Sequence, residues 1–358
     1  MVQENRLPHA LLFWGPPGSG KSVAALELVR WLTCREGLTG PCGQCNSCVQ
    51  FRTLEHPHLT YLMPLPGKAL VDSEEGELTE AGAAELAAIL KHKAEEPYST
   101  AVIPGGQYLL IGQIRALLQW ASRRSFEDLP RLALVDRADR LREEAGNALL
   151  KLLEEPPPNF ILVLTASSQD DVLPTLRSRC QAVEFDRLSA ATIERVLRDR
   201  GLEEAAAARL ARLCGGDLSR ALEFASHPEI AQQLNELAIN VVRHSLGRNP
   251  IEFDALLEEW GKLDLADQLL VLEIISTWLR DAALLQSLGA EAEKRVIHLD
   301  RLDLLKKFVA NCPVADFVQA ADKVDEARWR LRGNALASLI LVALSRELYR
   351  AVYHRKAV

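Results

Sequence analysis

No apolar run in this 358-residue chain is long enough to cross a bilayer: the longest nearly unbroken one, Ala335 to Leu344, has ten residues with Ser338 among them, against the roughly 20 that a spanning helix needs. A membrane-spanning protein is thereby excluded. The N-terminal stretch Met1 to Pro8 carries Glu4 and Arg6 and no signal-type apolar segment, so a cytoplasmic location is expected. A basic excess is missing too. Forty-two Lys and Arg stand against 49 Asp and Glu, a net charge of −7, which leaves the chain without the field that free DNA-binding proteins use to track phosphates. Any work on nucleic acid is expected inside a complex. There are no internal repeats. The seven cysteines cannot all pair, and Cys34, Cys42, Cys45 and Cys48 cluster while Cys180, Cys214 and Cys312 are scattered. That clustering fits cytosolic metal binding better than disulfides.

Apolar residues make up 48% of the chain and charged residues 25%, which excludes wholesale disorder and supplies a core for each of two or three domains. From Ala10 to Trp14 the chain is apolar; it then runs through Gly15-Pro16-Pro17-Gly18-Ser19-Gly20-Lys21-Ser22 into a periodic segment from Val23 to Val29. This pattern predicts strand, glycine loop and helix. Further strands are expected at His58 to Pro64, Arg131 to Val135 and Phe160 to Leu164, with helices over Ala81 to Lys93, Ile111 to Arg124 and Glu143 to Glu154. Pro66 to Glu80 is acidic and turn-rich, and reads as a surface loop. Alternating strands and helices predict a parallel sheet. Beyond Asp186 only helix patterns follow, first short ones broken at Gly215-Gly216, then long ones at Leu265 to Leu288 and Asn334 to Tyr353. The expected division is an α/β domain at 1–187, a small helical module at 188–228 and an all-helical region at 229–358.

Gly15-x4-Gly20-Lys21-Ser22 is a complete P-loop between an apolar strand and a helix, where its physics requires it. The candidate phosphate-binding residues are Gly15, Pro16, Pro17, Gly18, Ser19, Gly20, Lys21 and Ser22. Glycines let successive N–H groups turn toward phosphate oxygens at the positive end of the helix. Lys21 would reach the β- and γ-phosphates of ATP and the Ser22 hydroxyl would hold magnesium. The bland alternative is a glycine turn that merely joins strand to helix. Asp136, directly after a predicted strand, is the natural second magnesium ligand, with helix N-capping as its alternative role. A hydrolytic ATPase usually carries a glutamate after that Asp; here Arg137 stands there, and Asp139 would have to be re-aimed to replace it. Nucleotide binding without efficient hydrolysis is the expectation.

Cys34-x7-Cys42-x2-Cys45-x2-Cys48 supplies four soft ligands suited to closed, structural, tetrahedral zinc. An iron–sulfur cluster and unligated buried thiols are the alternatives. Arg177 and Arg179, in Leu173-Pro174-Thr175-Leu176-Arg177-Ser178-Arg179-Cys180, read by default as a solvated face.

Four features together carry a resemblance: the P-loop in the context of the preceding Arg6-Leu7-Pro8-His9-Ala10-Leu11-Leu12-Phe13; the four-cysteine insert; Asn147-Ala148-Leu149-Leu150-Lys151-Leu152-Leu153-Glu154-Glu155-Pro156-Pro157; and Ser178-Arg179-Cys180. The sequence resembles the bacterial clamp-loader AAA+ subunits, and within them the delta-prime family of DNA polymerase III. The resemblance spans Arg6 to Ala225. It implies an AAA+ core with the zinc insert at 34–48, a helical lid and a helical collar that builds a hetero-oligomer with motor and delta subunits. Arg179 becomes an arginine finger acting on a neighbour's ATP, and Ser168 the nearest match to the residue that senses γ-phosphate. The implied task is loading a sliding clamp onto primer–template DNA during replication. The alternative is a catalytically active motor subunit of the same loader. The motif Gly216-Asp217-Leu218-Ser219-Arg220-Ala221-Leu222 departs from the lid pattern, because Ser219 stands where an arginine meets nucleotide. Turning one helical residue moves Arg220 about 100° away. Family members also carry a longer segment before Arg6 that helps hold adenine, so an incomplete adenine pocket or a late start is expected.

Overall fold

The computed structural model describes residues 7–37, 40–54, 56–66, 79–99, 106–123, 129–247, 250–333 and 335–353. Arg6, most of the acidic segment between Pro66 and Glu80, Pro104-Gly105, Arg124 and Asn334 lie outside the described residues. The chain forms two compact units, Met1–Glu223 and Phe224–Val358.

The first unit is built on a five-stranded parallel sheet. Its strands are β1 (Ala10–Trp14), β2 (Leu59–Leu62), β3 (Arg131–Val135), β4 (Phe160–Ala166) and β5 (Gln181–Glu184), in the order β2-β3-β4-β1-β5. Its helices are α1 (Lys21–Thr33), α2 (Asn46–Gln50), α3 (Glu80–Glu95), α4 (Ile111–Ser122), α5 (Glu143–Glu154), α6 (Pro174–Arg177), α7 (Ala190–Asp199), α8 (Glu204–Leu213) and the greater part of α9 (Leu218–Ser226), which runs past the unit's end at Glu223. Side chains alternate across each strand. Leu12, Ala133, Val135, Leu162 and Leu164 join one core with residues of α4 and α5. Leu11, Phe13, Leu132, Leu134 and Val163 join another with Ala25, Leu26 and Val29 of α1. With both faces covered, the inner strands β3, β4 and β1 are apolar at every position but Arg131 and Thr165, which is why they read as short apolar runs.

β1, β3 and β4 and the helices α1, α4 and α5 fall where periodicity predicts them. β5 has no counterpart in the expected strands. Its sequence, Gln-Ala-Val-Glu, is partly to fully exposed along its length and it pairs with β1 alone, so an edge position leaves it little apolar signal. The strand order places β1, β4 and β3 side by side, with their carboxyl ends aligned. Loops leaving those ends form the usual ligand crevice of a parallel sheet.

In the second unit, α10 (Pro228–Gly247), α11 (Pro250–Lys262), α12 (Leu265–Leu288), α13 (Leu302–Asn311), α14 (Phe317–Arg332) and α15 (Ala337–Tyr353) follow one another. The central α12 buries Val271, Leu272, Ile275, Trp278, Leu279 and Ala282. It packs against α10, α13 and α14, while α15 closes on α10, α11 and α14.

Candidate nucleotide site and arginine edge

The glycine loop leaves β1 with backbone angles that other residues rarely adopt. Gly15 has φ +148°, and a Cβ there would meet the Phe185 carbonyl oxygen at 2.0 Å. Gly18, at φ +69°, has the Asp217 carboxylate where a Cβ would stand, Oδ1 lying 1.9 Å from that point. No side chain caps the N-terminus of α1, so the first-turn N–H groups are presented to the loop, the arrangement that binds phosphate. Lys21 folds back into the loop, its Nζ donating to the Gly15 and Pro16 carbonyls at 2.7 Å each and to Ser19 Oγ at 3.4 Å. Burial lowers the Lys21 pKa, and Asp136, Asp139 and Asp217 partly restore it.

Ser22 and Asp136, 114 positions apart, are brought together: Ser22 Oγ donates to Asp136 Oδ1 at 2.9 Å. Two further hydroxyls complete the carboxylate's shell. Tyr61 OH donates to Oδ2 at 2.7 Å and Thr165 Oγ1 to Oδ1. Asp136 is buried, and a buried carboxylate needs such donors. Arg137 sits in the left-handed region at φ +59°, with its N–H donating to Thr165 Oγ1 at 3.1 Å. A non-glycine residue there is strained, and such strain gathers at functional sites. Asp139 faces elsewhere, its Oδ1 accepting from Ser167 N at 3.4 Å and its Oδ2 lying 3.6 Å from Arg140 Nε.

Ser168 accepts from Asp170 N at 3.2 Å. Of the hydroxyls at the end of β4, Thr165 is the one that meets Asp136. Asp217 caps α9, its Oδ1 accepting from Arg220 N at 3.0 Å, and Leu218 N donates to the Gly18 carbonyl at 3.3 Å. Arg220 reaches Glu223 at 2.8 Å.

The four clustered cysteines form a second site. Their Sγ atoms all lie within 4.8 Å of one another, and Cys34 Sγ stands 3.9 Å from Cys45 Sγ. Tetrahedral ligation at a Zn–S bond of about 2.3 Å requires sulfurs about 3.8 Å apart, so the donor set fits a metal ion. Backbone N–H groups of Gly37 and Cys42 donate to Cys34 Sγ, of Cys45 to Cys42 Sγ and of Cys48 to Cys45 Sγ. Burial would raise the Cys34 thiol, but hydrogen bonds from Cys42 and the neighbouring backbone bring it down to about 6. A thiolate is the ligating form.

Arg179 follows α6, opposite the last turn of α5. Its Nη2 lies 2.8 Å from Glu154 Oε1, and its Nη1 donates to the Thr175 carbonyl at 3.1 Å. Its side chain is 39% exposed.

A family model described as "DNA polymerase III, delta subunit" matches residues 1–189, the stretch that holds the P-loop, Asp136, the four cysteines and Arg179. The chain belongs to that family. Within the DNA polymerase III family it is 26% identical over 339 residues to subunit delta' of Bacillus subtilis, covering 93% of this chain and 88% of that protein. Subunit delta' of Pseudomonas aeruginosa is 26% identical over 262 residues, 72% and 67% of the two chains. Subunit gamma/tau of Mycobacterium tuberculosis is 31% identical over 198 residues, 55% of this chain and 27% of that protein. Among solved structures, a DNA polymerase III gamma subunit-related protein of Thermotoga maritima aligns at 16% identity with a TM-score of 0.45, covering 98% and 97% of the two chains. The two relatives that cover most of this chain are both named as delta' subunits of DNA polymerase III.

Tyr61, Thr165, Asp217 and Glu154 are site residues that sequence reasoning passes over. Tyr61 sits within an apolar strand and reads as core, while Asp217 is a helix cap. Only the strand order and the return of α9 to the loop bring Tyr61, Thr165 and Asp217 to Lys21 and Asp136, while Glu154 meets Arg179.

Proposed function

We propose that this clamp-loader subunit works chiefly on a neighbour's ATP, presenting Arg179 in trans to the site of an adjacent motor subunit. A guanidinium placed against a γ-phosphate stabilises transition-state charge and makes hydrolysis depend on assembly. The observation that carries this reading is the exposure of Arg179, tied only to surface partners. In the chain's own site, residues 15 to 22 would hold the phosphates, and Ser22 and Asp136 a magnesium ion. The loop glycines, the buried Lys21 and the Ser22–Asp136 contact fit that group. Magnesium would neutralise phosphate charge there. With Arg137 beside Asp136 and Asp139 turned to Ser167, neither position offers a carboxylate to activate water, so binding without efficient hydrolysis is favoured.

Cys34, Cys42, Cys45 and Cys48 would hold structural zinc. Residues 188–228 would act as the lid and 229–358 as the collar joining motor and delta subunits. The hetero-oligomer would then load the sliding clamp on primer–template DNA in the cytoplasm. Among the described residues no helix is long and apolar enough to cross a membrane. The test is ATP turnover by the motor subunits reconstituted with this chain or its Arg179→Ala variant. The expected loss is on the order of a thousandfold. Unchanged turnover with Arg179→Ala, together with its abolition by Lys21→Ala, would make this chain the motor instead.

A further inference from the structure

We propose that Ser47 and His56 are positioning residues that tie the four-cysteine site to β2, so that loading of the metal sets the order of the strand that carries Tyr61 to Asp136. The inference rests on the metal-binding reading above.

α2 has five residues, far fewer than the roughly 12–15 that a helix needs to stand alone in water. Its cap is Cys45, whose Sγ accepts from Cys48 N, and Cys48 lies within it. Two of the four candidate ligands thus belong to this one turn of helix, and an ion shared among the four fixes both. Ser47 precedes Cys48 and is buried, as is His56, and the two meet with Ser47 Oγ 3.0 Å from the ring Nε2.

Hydrogen bonding defines the form of that ring. His58 N–H donates to His56 Nδ1 at 3.1 Å, so that nitrogen carries no proton, the ring is neutral and Nε2 is the donor to Ser47 Oγ. Phe51 stacks on the ring, with centroids 4.6 Å apart and planes 20° from parallel. The His56 carbonyl accepts from Leu59 N at 2.9 Å, where β2 begins. β2 is an edge strand paired with β3 alone. Its ladder therefore holds it from one side, and the turn at His56 anchors its start. Two residues on from Leu59, Tyr61 donates to Asp136.

A connection of this kind acts in both directions, because a coupling free energy is shared by the two ends it joins. One buried hydrogen bond shifts such an equilibrium by up to about tenfold.

The test uses the full chain and its Ser47→Ala and His56→Gln variants, with zinc, a chromogenic chelator that competes for it, and amide hydrogen exchange followed in β2 and β5. Glutamine keeps an amide donor for Ser47. In the parent, removing zinc should speed exchange in β2 about tenfold and leave β5, the opposite edge of the sheet, within about threefold. Ser47→Ala should weaken zinc binding about tenfold and leave β2 exchange within about threefold on chelation. His56→Gln should stay within about threefold of the parent on both counts. Parental zinc affinity in Ser47→Ala, or an equal rise at both sheet edges on chelation, would overturn the inference alone. A parent chain that takes up no zinc would overturn the metal-binding reading and this inference with it.

Discussion

Arg179 and Glu154 form an ion pair at 2.8 Å between the segment after α6 and the last turn of α5, and both side chains are well over a third exposed. Such a pair contributes about 0.2–1 kcal/mol. Glu154 thus orients the guanidinium while the chain is alone and gives it up to a stronger anion at little cost. Glu154→Gln should leave unfolding free energy within about 1 kcal/mol of the parent. If Arg179 acts in trans, the same variant should raise partner ATP turnover at limiting subunit concentration, by no more than about fivefold, since 1.36 kcal/mol is a factor of ten. A drop to the level of Arg179→Ala would show instead that Glu154 is needed to position the finger.

Tyr61 tests the Asp136 network. Its hydroxyl is fully buried and its pKa is pushed well above the ordinary phenol value, by burial first and then by the Asp136 charge and hydrogen bond. The phenol is therefore a fixed donor to Oδ2. Tyr61→Phe leaves a buried carboxylate oxygen without that donor, and urea unfolding should show a loss of about 1–3 kcal/mol. A variant as stable as the parent would mean that water replaces the phenol as donor to Oδ2.

How much of this was legible in the sequence follows from what each signal depends on. The P-loop could be read because strand, glycines and helix are contiguous, so local chemistry determines the geometry. Asp136 could be placed because an acid ending a short apolar strand implies a sheet edge. Thr165 could not, since its meeting with Asp136 depends on β4 lying next to β3, which no local pattern encodes. β5 stayed hidden because an edge strand needs apolar residues on little of its surface. Asp217 was seen only as part of a departing lid motif; its contact with Gly18 joins residues about 200 positions apart in the sequence.

The cysteine site makes a prediction about metal. Protein purified under reducing conditions without chelator should carry stoichiometric zinc by elemental analysis, and a strong chelator should lower its thermal midpoint, because four thiolates brought together without a cation lose their common partner. Cys48→Ser should reproduce the chelator's effect, Cys48 being the buried member of the set. A chain that is fully folded and free of metal, with an unshifted midpoint, would leave these thiols as a packing feature.

Asp281 makes the last prediction, in the helical unit. It lies on α12 with no exposure, and its Oδ2 alone accepts from Ile297 N at 2.8 Å, His298 N at 3.0 Å and the His298 ring Nδ1 at 2.9 Å. Its Oδ1 has no partner among the described residues. One oxygen therefore holds the segment that follows α12 against that helix, with the His298 ring set edge-on to Trp278 at 5.2 Å. Asp281→Ala strands two backbone N–H groups and a ring nitrogen in a buried site, a loss of about 3–5 kcal/mol. Asp281→Asn keeps an accepting oxygen in place and loses only the charge assistance, so about 1–2 kcal/mol is expected. Denaturant titration followed by helical circular dichroism separates the two outcomes. Equal losses for Ala and Asn would assign the effect to the charge, and a loss under 1 kcal/mol for Ala would show that water replaces the carboxylate, so that the segment after α12 is not held by it.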